Sequence, residues 1–501
     1  YVIDGLDTTN LRTGISAREL PVDFLEQIQV KQSGYNAEYR AATGGVVSAI
    51  TKSGSNRFHG DIGTYYEGGA ISGLLGDPRP QLRLNPSDQT KAEYFTPPRV
   101  DETTEWDGIG SIGGPILKSR AWFFVGVNLI KEDTDRTVTW TTAGPYRGQT
   151  QTFDQRPREK SFQYNASTQL NSSMRVRFSG SNFRRDGGLG LPNIDNGQRD
   201  PVTGEPLLLD ANGNRFSSSN PTLFNPRPTT YTYTYENTYS GTLDWTLGER
   251  TYINFTSGYY FDGAGTRGGD YYHGVRRTFG SSNINYLDVP ANLQQVNGFV
   301  DNPANNFNLY DDYSRFFVNA DMTVFKDWKG QHAIKFGTQL ERLGNQVNTG
   351  QQFPNVTLNW DASRSTLDQR NVRGTYGYYS VTRQYTTGDV TGNNFGLFVQ
   401  DQWALNSRLT VNYGVRAERT YIPSFTPGFV DMTFGWSKQI APRVGFAYDI
   451  HGDGKLKAYG SWGVFYDTPK LEMPRGLWGA DHWMTYYYTL DSYDWPAINC
   501  D

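Results

Sequence analysis

The sequence predicts an all-β, antiparallel transmembrane β-barrel. Three observations predict it: long strands of period two, connections that alternate between short and long, and tryptophans gathered at the short ones. Period two is plain in "TYSGTLDWTLGERTYINFTSGYYF". Tyr239, Leu243, Trp245 and Leu247 share one face, Thr238, Ser240, Thr242, Asp244 and Thr246 the other, and Ile253, Phe255, Tyr259 and Phe261 resume the apolar face after a turn at Gly248-Glu249. In "KSFQYNASTQLNSSMRVRFSGS", Phe162, Tyr164, Ala166 and Leu170 oppose Gln163, Asn165, Ser167 and Gln169. Met174, Val176 and Phe178 then oppose Arg175, Arg177 and Ser179. Three further hairpins repeat the pattern through 326–330, 404–407 and 451–454, the last with an Asp453-Gly454 turn signal.

Alternation alone fits a large soluble sandwich or propeller as well as a membrane barrel, because both wet one face and bury the other. Loop asymmetry separates them. Short connections fall near 114–120, 171–173, 248–250, 326–330, 404–407 and 451–454; long ones, read as structureless loops, fall near 68–104, 132–159, 182–234, 262–312, 343–391 and 422–439. Loops beyond ~12–15 residues are uncommon in compact domains, whereas outer-membrane barrels pair short periplasmic turns with long outer loops. Trp122, Trp245, Trp328 and Trp403 lie at or near short turns and are expected to form the lower aromatic girdle. Many runs reach the ~9–11 residues that a tilted strand needs to cross the hydrocarbon.

Composition narrows the function. The 501 residues include 55 Gly and carry a formal charge of -4, which leaves no basic footprint for nucleic acid. Mean hydropathy is -0.63, and no apolar run approaches the ~18 residues of a membrane helix, although barrel strands need none. The single cysteine, Cys500, forms no intrachain disulfide. Both ends read as cuts, so the lack of a signal peptide carries no information. His59, His273, His332, His451 and His482 are scattered without ligand spacing, and neither a nucleophile elbow nor a phosphate-binding loop occurs, so neither enzyme, metal nor cofactor is expected. "DANGNRF", Asp210 to Phe216, has part of a calcium loop but lacks the full ligand spacing.

Residues 1–55 break the long-strand pattern. "LPVDFLEQIQV" reads as a short helical turn, with Asp23 as its N-cap and Glu26 three residues on, leading into a strand through Ile28 and Val30. "GGVVSAITK" is a second compact strand entered through Gly44-Gly45. Glu26, Ile28 and Val30, followed by Gly44, Gly45, Val46, Ile50, Thr51, Lys52, Ser53 and Gly54, closely resemble the C-terminal half of the plug domain of TonB-dependent outer-membrane receptors. The resemblance continues through "GGPILKSRAWFF", "NFGLFVQDQWALNSRLTVNYGVRAE" and "PRVGFAYD", and is to the Oar-like branch, in which a carboxypeptidase-regulatory-like domain usually precedes the plug.

The resemblance implies a barrel of about 22 strands when complete, with a plugged lumen, of which roughly 13 are counted here. It implies two domains: 1–55 as a small α/β remnant, the C-terminal half of the plug, and 56–501 as the N-terminal portion of the barrel. It also implies a bacterial outer-membrane location, contact with outer-membrane lipid or lipopolysaccharide, a TonB-type periplasmic energy-coupling partner and an extracellular ligand. Glu38, Arg40 and Lys52 are the plug gating candidates. Arg175, Arg177, Lys335, Glu341, Arg416 and Glu418 are the lumen-facing candidates that could pair with them, or could simply solvate the wall. Hydrated pairs of ~0–1 kcal/mol each would suit a plug that must move. In "LWGADHWMTYYYTLDSYDW", Trp478, Trp483, Tyr486, Tyr487 and Tyr488 are the ligand-binding loop candidates, with packing of the loop on itself as the alternative. Import of a bulky nutrient (an oligosaccharide, peptide or metal chelate) is the expected function. A surface adhesion or assembly protein that uses the barrel as a scaffold for its loops is the second.

Overall fold

The computed structural model describes residues 1–15, 21–31, 34–40, 44–68, 80–85, 88–95, 102–139, 150–188, 231–267, 274–295, 297, 299, 301–302, 306–366, 370–467, 469–477, 479–498 and 500. The calcium-like stretch 210–216 and Trp478 lie outside them. The chain starts with a small sheet in the order β2-β1-β4-β3, built from β1 (Val2–Ile3), β2 (Leu6–Asp7), β3 (Leu25–Lys31) and β4 (Val46–Thr51). Asp4 and Gly5 join β1 to β2 with φ of 48° and 84°. Both central residues of a tight primed hairpin turn need positive φ, which is why Asp-Gly sits there. The Asp4 carboxylate then accepts the Thr51 N–H at 3.0 Å and its hydroxyl at 2.6 Å, tying the turn to the end of β4.

The helical turn expected before β3 is a single 3-10 turn, Val22–Phe24, capped by Pro21 without a side-chain bond. Asp23 is therefore not an N-cap; its carboxylate instead accepts the Tyr65 hydroxyl at 3.1 Å. Phe24 is fully buried against Ile109 and Phe124, and the residues after it are drawn into antiparallel pairing with β4, so no helix propagates.

The wall is built from strands of up to 28 residues. Its main members are β5 (His59–Glu67), β8 (Glu102–Leu117), β9 (Ala121–Thr139), β11 (Arg158–Asn171), β12 (Met174–Gly188), β13 (Tyr231–Leu247) and β14 (Thr251–Arg267). They continue as β16 (Asn306–Asp327), β17 (Gln331–Gln351), β21 (Gly377–Ala404), β22 (Leu409–Ile422), β24 (Ile440–Asp449) and β25 (Lys457–Gly463). These thirteen pair antiparallel, each with the next, in one unbroken path. Five more strands pair onto the ends nearest the long connections and belong to the same barrel sheet: β10 (Thr150–Gln155), β15 (Arg276–Phe279), β18 (Asn355–Trp360), β23 (Met432–Phe434) and β26 (Asp481–Leu490).

Parity sorts the wall as period two requires. On β11, Ser161, Gln163, Asn165 and Ser167 are buried toward the lumen while Phe162 and Leu170 are exposed. Phe178, Phe255, Phe336, Leu397, Val415 and Phe446 are exposed in the same outward sense on later strands. Such an apolar exterior is stable only against lipid. Of the four tryptophans assigned to the girdle, Trp122 does not belong there. It shares inward parity with buried Phe124, and its indole N–H donates to Asn56 Oδ1 at 2.9 Å. Trp328 and Trp403 flank the His332 ring with centroids 6.0 and 5.2 Å away.

The long connections are not structureless. Two two-stranded sheets form among them, β6 (Gln81–Asn85) with β7 (Asp88–Phe95) and β19 (Arg364–Ser365) with β20 (Asn371–Val372). Above the wall a separate apolar core joins Val275, Phe279, Val289, Val356, Leu358, Trp360, Tyr376, Val381, Leu490 and Trp495. Three stretches, 275–299, 356–381 and 490–500, thus condense into one cap, because each brings aromatic residues that bury little surface alone.

Candidate functional site: the plug–wall interface

Residues 34–40 connect β3 to β4 and reach the lumenal face of five wall strands. The Lys335 ammonium donates to Glu38 Oε2 at 2.5 Å and also meets Asp321 at 3.2 Å. Gln400 donates to the Glu38 carboxylate at 3.3 Å and accepts its backbone N–H at 2.9 Å, while Gln339 donates to the Glu38 carbonyl at 3.1 Å. Arg40 pairs with Glu341, and with Glu418 at 3.2 Å. Arg416, with its side chain 1% exposed, bonds Glu418 at 2.8 Å, Gln339 at 2.6 Å and the Ala37 carbonyl at 3.3 Å.

These contacts are not the hydrated pairs expected for a moving plug. The Arg40, Glu341 and Glu418 side chains are only 13%, 11% and 10% exposed. Burial lowers the Arg40 guanidinium to about 10, against the raising effect of Glu418. Removing one partner of such a pair leaves an uncompensated buried charge, a far larger penalty than loss of a surface pair. The reason is geometric. The long side chains of Lys335, Glu341, Arg416 and Glu418 reach across the lumen to residues 37–40, so these groups meet one another and not water.

The structure thus brings together Glu38, Arg40, Lys335, Glu341, Arg416 and Glu418. It does not bring Lys52, Arg175 or Arg177 to that cluster. Lys52 faces Asp61 at 3.5 Å. Arg175 and Arg177 carry lumenal parity, and Arg175 donates to Ser167 at 3.4 Å. Among the loop candidates, Tyr486, Tyr487, Tyr488 and Trp483 lie on β26, which pairs with β21. Tyr488 stacks on Tyr379 at 5.2 Å, and Tyr487 lies against Tyr378 at 6.2 Å. Trp483 and Tyr486 are exposed at 71% and 56%.

Sequence reasoning missed two arginines on the same face. Arg443 donates to the carbonyls of Asn36 at 2.5 Å and Tyr39 at 2.8 Å, with its guanidinium over the rings of Tyr35 and Phe465. Arg315 donates to the Asp7 carbonyl and meets its carboxylate at 3.3 Å. Each is a charge at inward parity in mid-strand, and that pattern would have found both. Two cavities flank the interface. One of about 370 Å³ lies between residues 34–37 and strands β21, β22, β24 and β25. The other, about 250 Å³, lies where Asn10 and Arg12 of the plug meet Tyr235, Glu236, Asp262, Asp311 and Tyr313 of the wall. Among the described residues no group of three or more His, Cys, Asp or Glu could hold a metal ion.

Residues 210–432 match the family model "Outer membrane beta barrel domain". The TonB-dependent transporter Oar of Myxococcus xanthus is 24% identical over 533 residues, 94% of this chain and 47% of the relative. The outer membrane transporter YddB of Escherichia coli superposes with a TM-score of 0.60 at 13% identity, covering 99% of this chain and 57% of that one. The chain thus carries an outer-membrane β-barrel domain and is similar in sequence to a TonB-dependent transporter. It is a protein of the bacterial outer membrane. Its fold is shared with the siderophore receptor PirA of Acinetobacter baumannii, TM-score 0.52 at 12% identity over 94% of this chain and 53% of that one. It is shared equally with the RagAB peptide importer, TM-score 0.51 at 12% identity over 94% and 54%. The chain spans about half the length of these relatives.

Proposed function

We propose that this receptor imports a bulky nutrient (an oligosaccharide, a peptide or a metal chelate) through the barrel lumen by energy-coupled movement of its plug. On this reading residues 1–55 are the C-terminal half of the plug and 56–501 the N-terminal part of the barrel. A TonB-type periplasmic protein supplies the pull, and no chemical step is catalysed. The observation that carries the reading is the buried ionic attachment of residues 38–40 to Lys335, Glu341 and Glu418, with a cavity of about 250 Å³ beside the plug residues Asn10 and Arg12. A small sheet held in a polar lumen by paired charges keeps one defined seat and, once pulled free, leaves groups that water can solvate. Glu38 and Arg40 are the gating residues in this scheme, and Lys52 seats the plug where the chain enters the wall. Cells expressing the receptor should lose uptake of the cognate nutrient when the proton-motive force is collapsed; uptake that persists sinks the proposal.

A second reading has its own support. The cap above the wall exposes Leu287 at 103% and Ile284 at 49%, and the connection from β22 to β23 exposes Val430 at 75%, side chains suited to an adhesion or assembly surface. Adhesion lost on trimming 281–289, with uptake intact, would favour it.

A further inference from the structure

Arg443 stands apart from the other basic side chains of the plug seat. Lys335 meets Glu38 and Asp321, Arg40 meets Glu341 and Glu418, Arg416 meets Glu418, and Arg315 meets Asp7. Arg443, on β24, is 7% exposed and has no carboxylate partner among the described residues. Its Nη1 is taken up by the carbonyls of Asn36 and Tyr39, and its guanidinium lies 4.5 Å from the Phe465 ring centroid and 5.5 Å from that of Tyr35. Nε is buried without an acceptor, and Nη2 has none among the described residues. Carbonyl dipoles and ring faces soften a buried charge without neutralising it, so a guanidinium in this setting favours an anion beside it.

The same guanidinium lines the cavity of about 370 Å³ between residues 34–37 and the wall, and no Asp or Glu lines it among the described residues. One water takes ~30 Å³, so the space suits a group the size of an amino-acid residue and not merely an ion. Tyr35 and Phe465 present rings to it, while Asn412 and Ser461 add neutral polar groups. Gly445 shares inward parity with Arg443, and a Cβ there would meet nothing closer than the Gly460 carbonyl oxygen at 3.4 Å, so the space beside the guanidinium is open. The Nε–Nη2 edge of an arginine grips a carboxylate by two parallel N–H···O bonds. A single cation matches a single negative charge, which favours a carboxylate over a phosphate, and the two rings favour an apolar group next to it.

We propose that this cavity binds an organic acid with an apolar side group, its carboxylate gripped by Arg443 and its apolar part packed on Tyr35 and Phe465. Among the cargo classes above, the C-terminal residue of a peptide carries both features. The inference rests on the import reading and narrows it to cargo that bears such an acid.

The test uses the purified full chain in detergent, with binding measured by isothermal titration calorimetry. Three probes are offered: N-acetylphenylalanine, its carboxamide, and acetate. The wild type should bind N-acetylphenylalanine, and R443Q should bind it about tenfold to a hundredfold more weakly, as expected for loss of hydrogen bonds to a charged group. G445L, which fills the cavity and leaves Arg443 in place, should lose binding too, while K329Q at the short-turn rim should bind like the wild type. Heat-modifiable gel mobility checks that each barrel is folded. No binding by the folded wild type, equal affinity for the carboxamide, undiminished binding by R443Q or G445L, or an equal loss in K329Q would each overturn the site. Acetate held as tightly as N-acetylphenylalanine would overturn its apolar part. Uptake is read separately, so a failed site with energy-dependent uptake intact leaves the import reading standing.

Discussion

The plug seat and the loop cap are both regions where distant parts of the chain meet, yet they are held by opposite means. At the seat, Glu38 and Arg40 are fixed by Lys335, Glu341 and Glu418, and Arg416 and Arg443 bond backbone carbonyls of 36–39. In the cap, Phe279, Trp360 and Trp495 pack ring against ring, with Phe279 stacked 6.1 Å from Trp360 and edge-on 5.2 Å from Trp495. Charge pairs demand one geometry and give little beyond it, whereas apolar packing tolerates rearrangement and resists exposure to water. A contact that must open and re-form in one register suits the first kind. A contact that must stay shut suits the second.

The comparison breaks most sharply at Arg40. Arg40→Ala strands Glu341 among buried groups and leaves Glu418 with Arg416 alone; it should loosen the plug by about 3–5 kcal/mol. Arg40→Met combined with Glu341→Leu should recover most of that, because no charge is then left unpaired. Protease protection of residues 1–55 reads both, and equal loosening in the single and double variants would show that the seat is not ionic. In the cap, Trp360→Ala should cost about 3–5 kcal/mol locally, seen as faster proteolysis within 274–302 with the barrel's heat-modifiable mobility unchanged. Similar loosening of the plug by this variant would mean that the two regions are one unit.

The smallest effect is one of pH. Hydrogen bonding and charge from Arg373 hold the Asp361 carboxyl below its ordinary value, and the Thr375 backbone N–H does the same for Asp491. A depressed carboxylate stabilises the fold above its unfolded value of 3.8 and loses that contribution as pH falls through the lower folded value. Cap tryptophan fluorescence should therefore hold steady from neutral pH down to the carboxylate range and change only below it. Asp361→Asn with Asp491→Asn should abolish that change; an unaltered acid transition would assign it to other groups.

Much of this was legible in the residues. Alternation in "SFQYNASTQL" sorts Ser161, Gln163, Asn165 and Ser167 inward because a strand has only two faces. The short turns followed from Gly248-Glu249 and Asp453-Gly454, and Glu38, Arg40, Lys335, Glu341, Arg416 and Glu418 were all named as candidates from their parity and the plug motif. Nearness to a turn points Trp122 to the girdle, but its parity with Phe124 turns it inward. The local cap signal at Asp23 gives way because the pairing of β3 to β4 draws the following residues into a strand.

What the sequence determined by itself was therefore whatever repeats every two residues: strand, face, and which side chains meet lipid or lumen. Only the tertiary structure decided which lumenal charge meets which plug charge, how completely water is expelled between them, and that three distant stretches share one core. Those facts depend on distances between residues hundreds apart in the chain, such as Arg443 and Asn36 or Trp495 and Leu293. Burial, which turns a solvated charge pair into a seat, is a property of the assembled lumen and of no single strand.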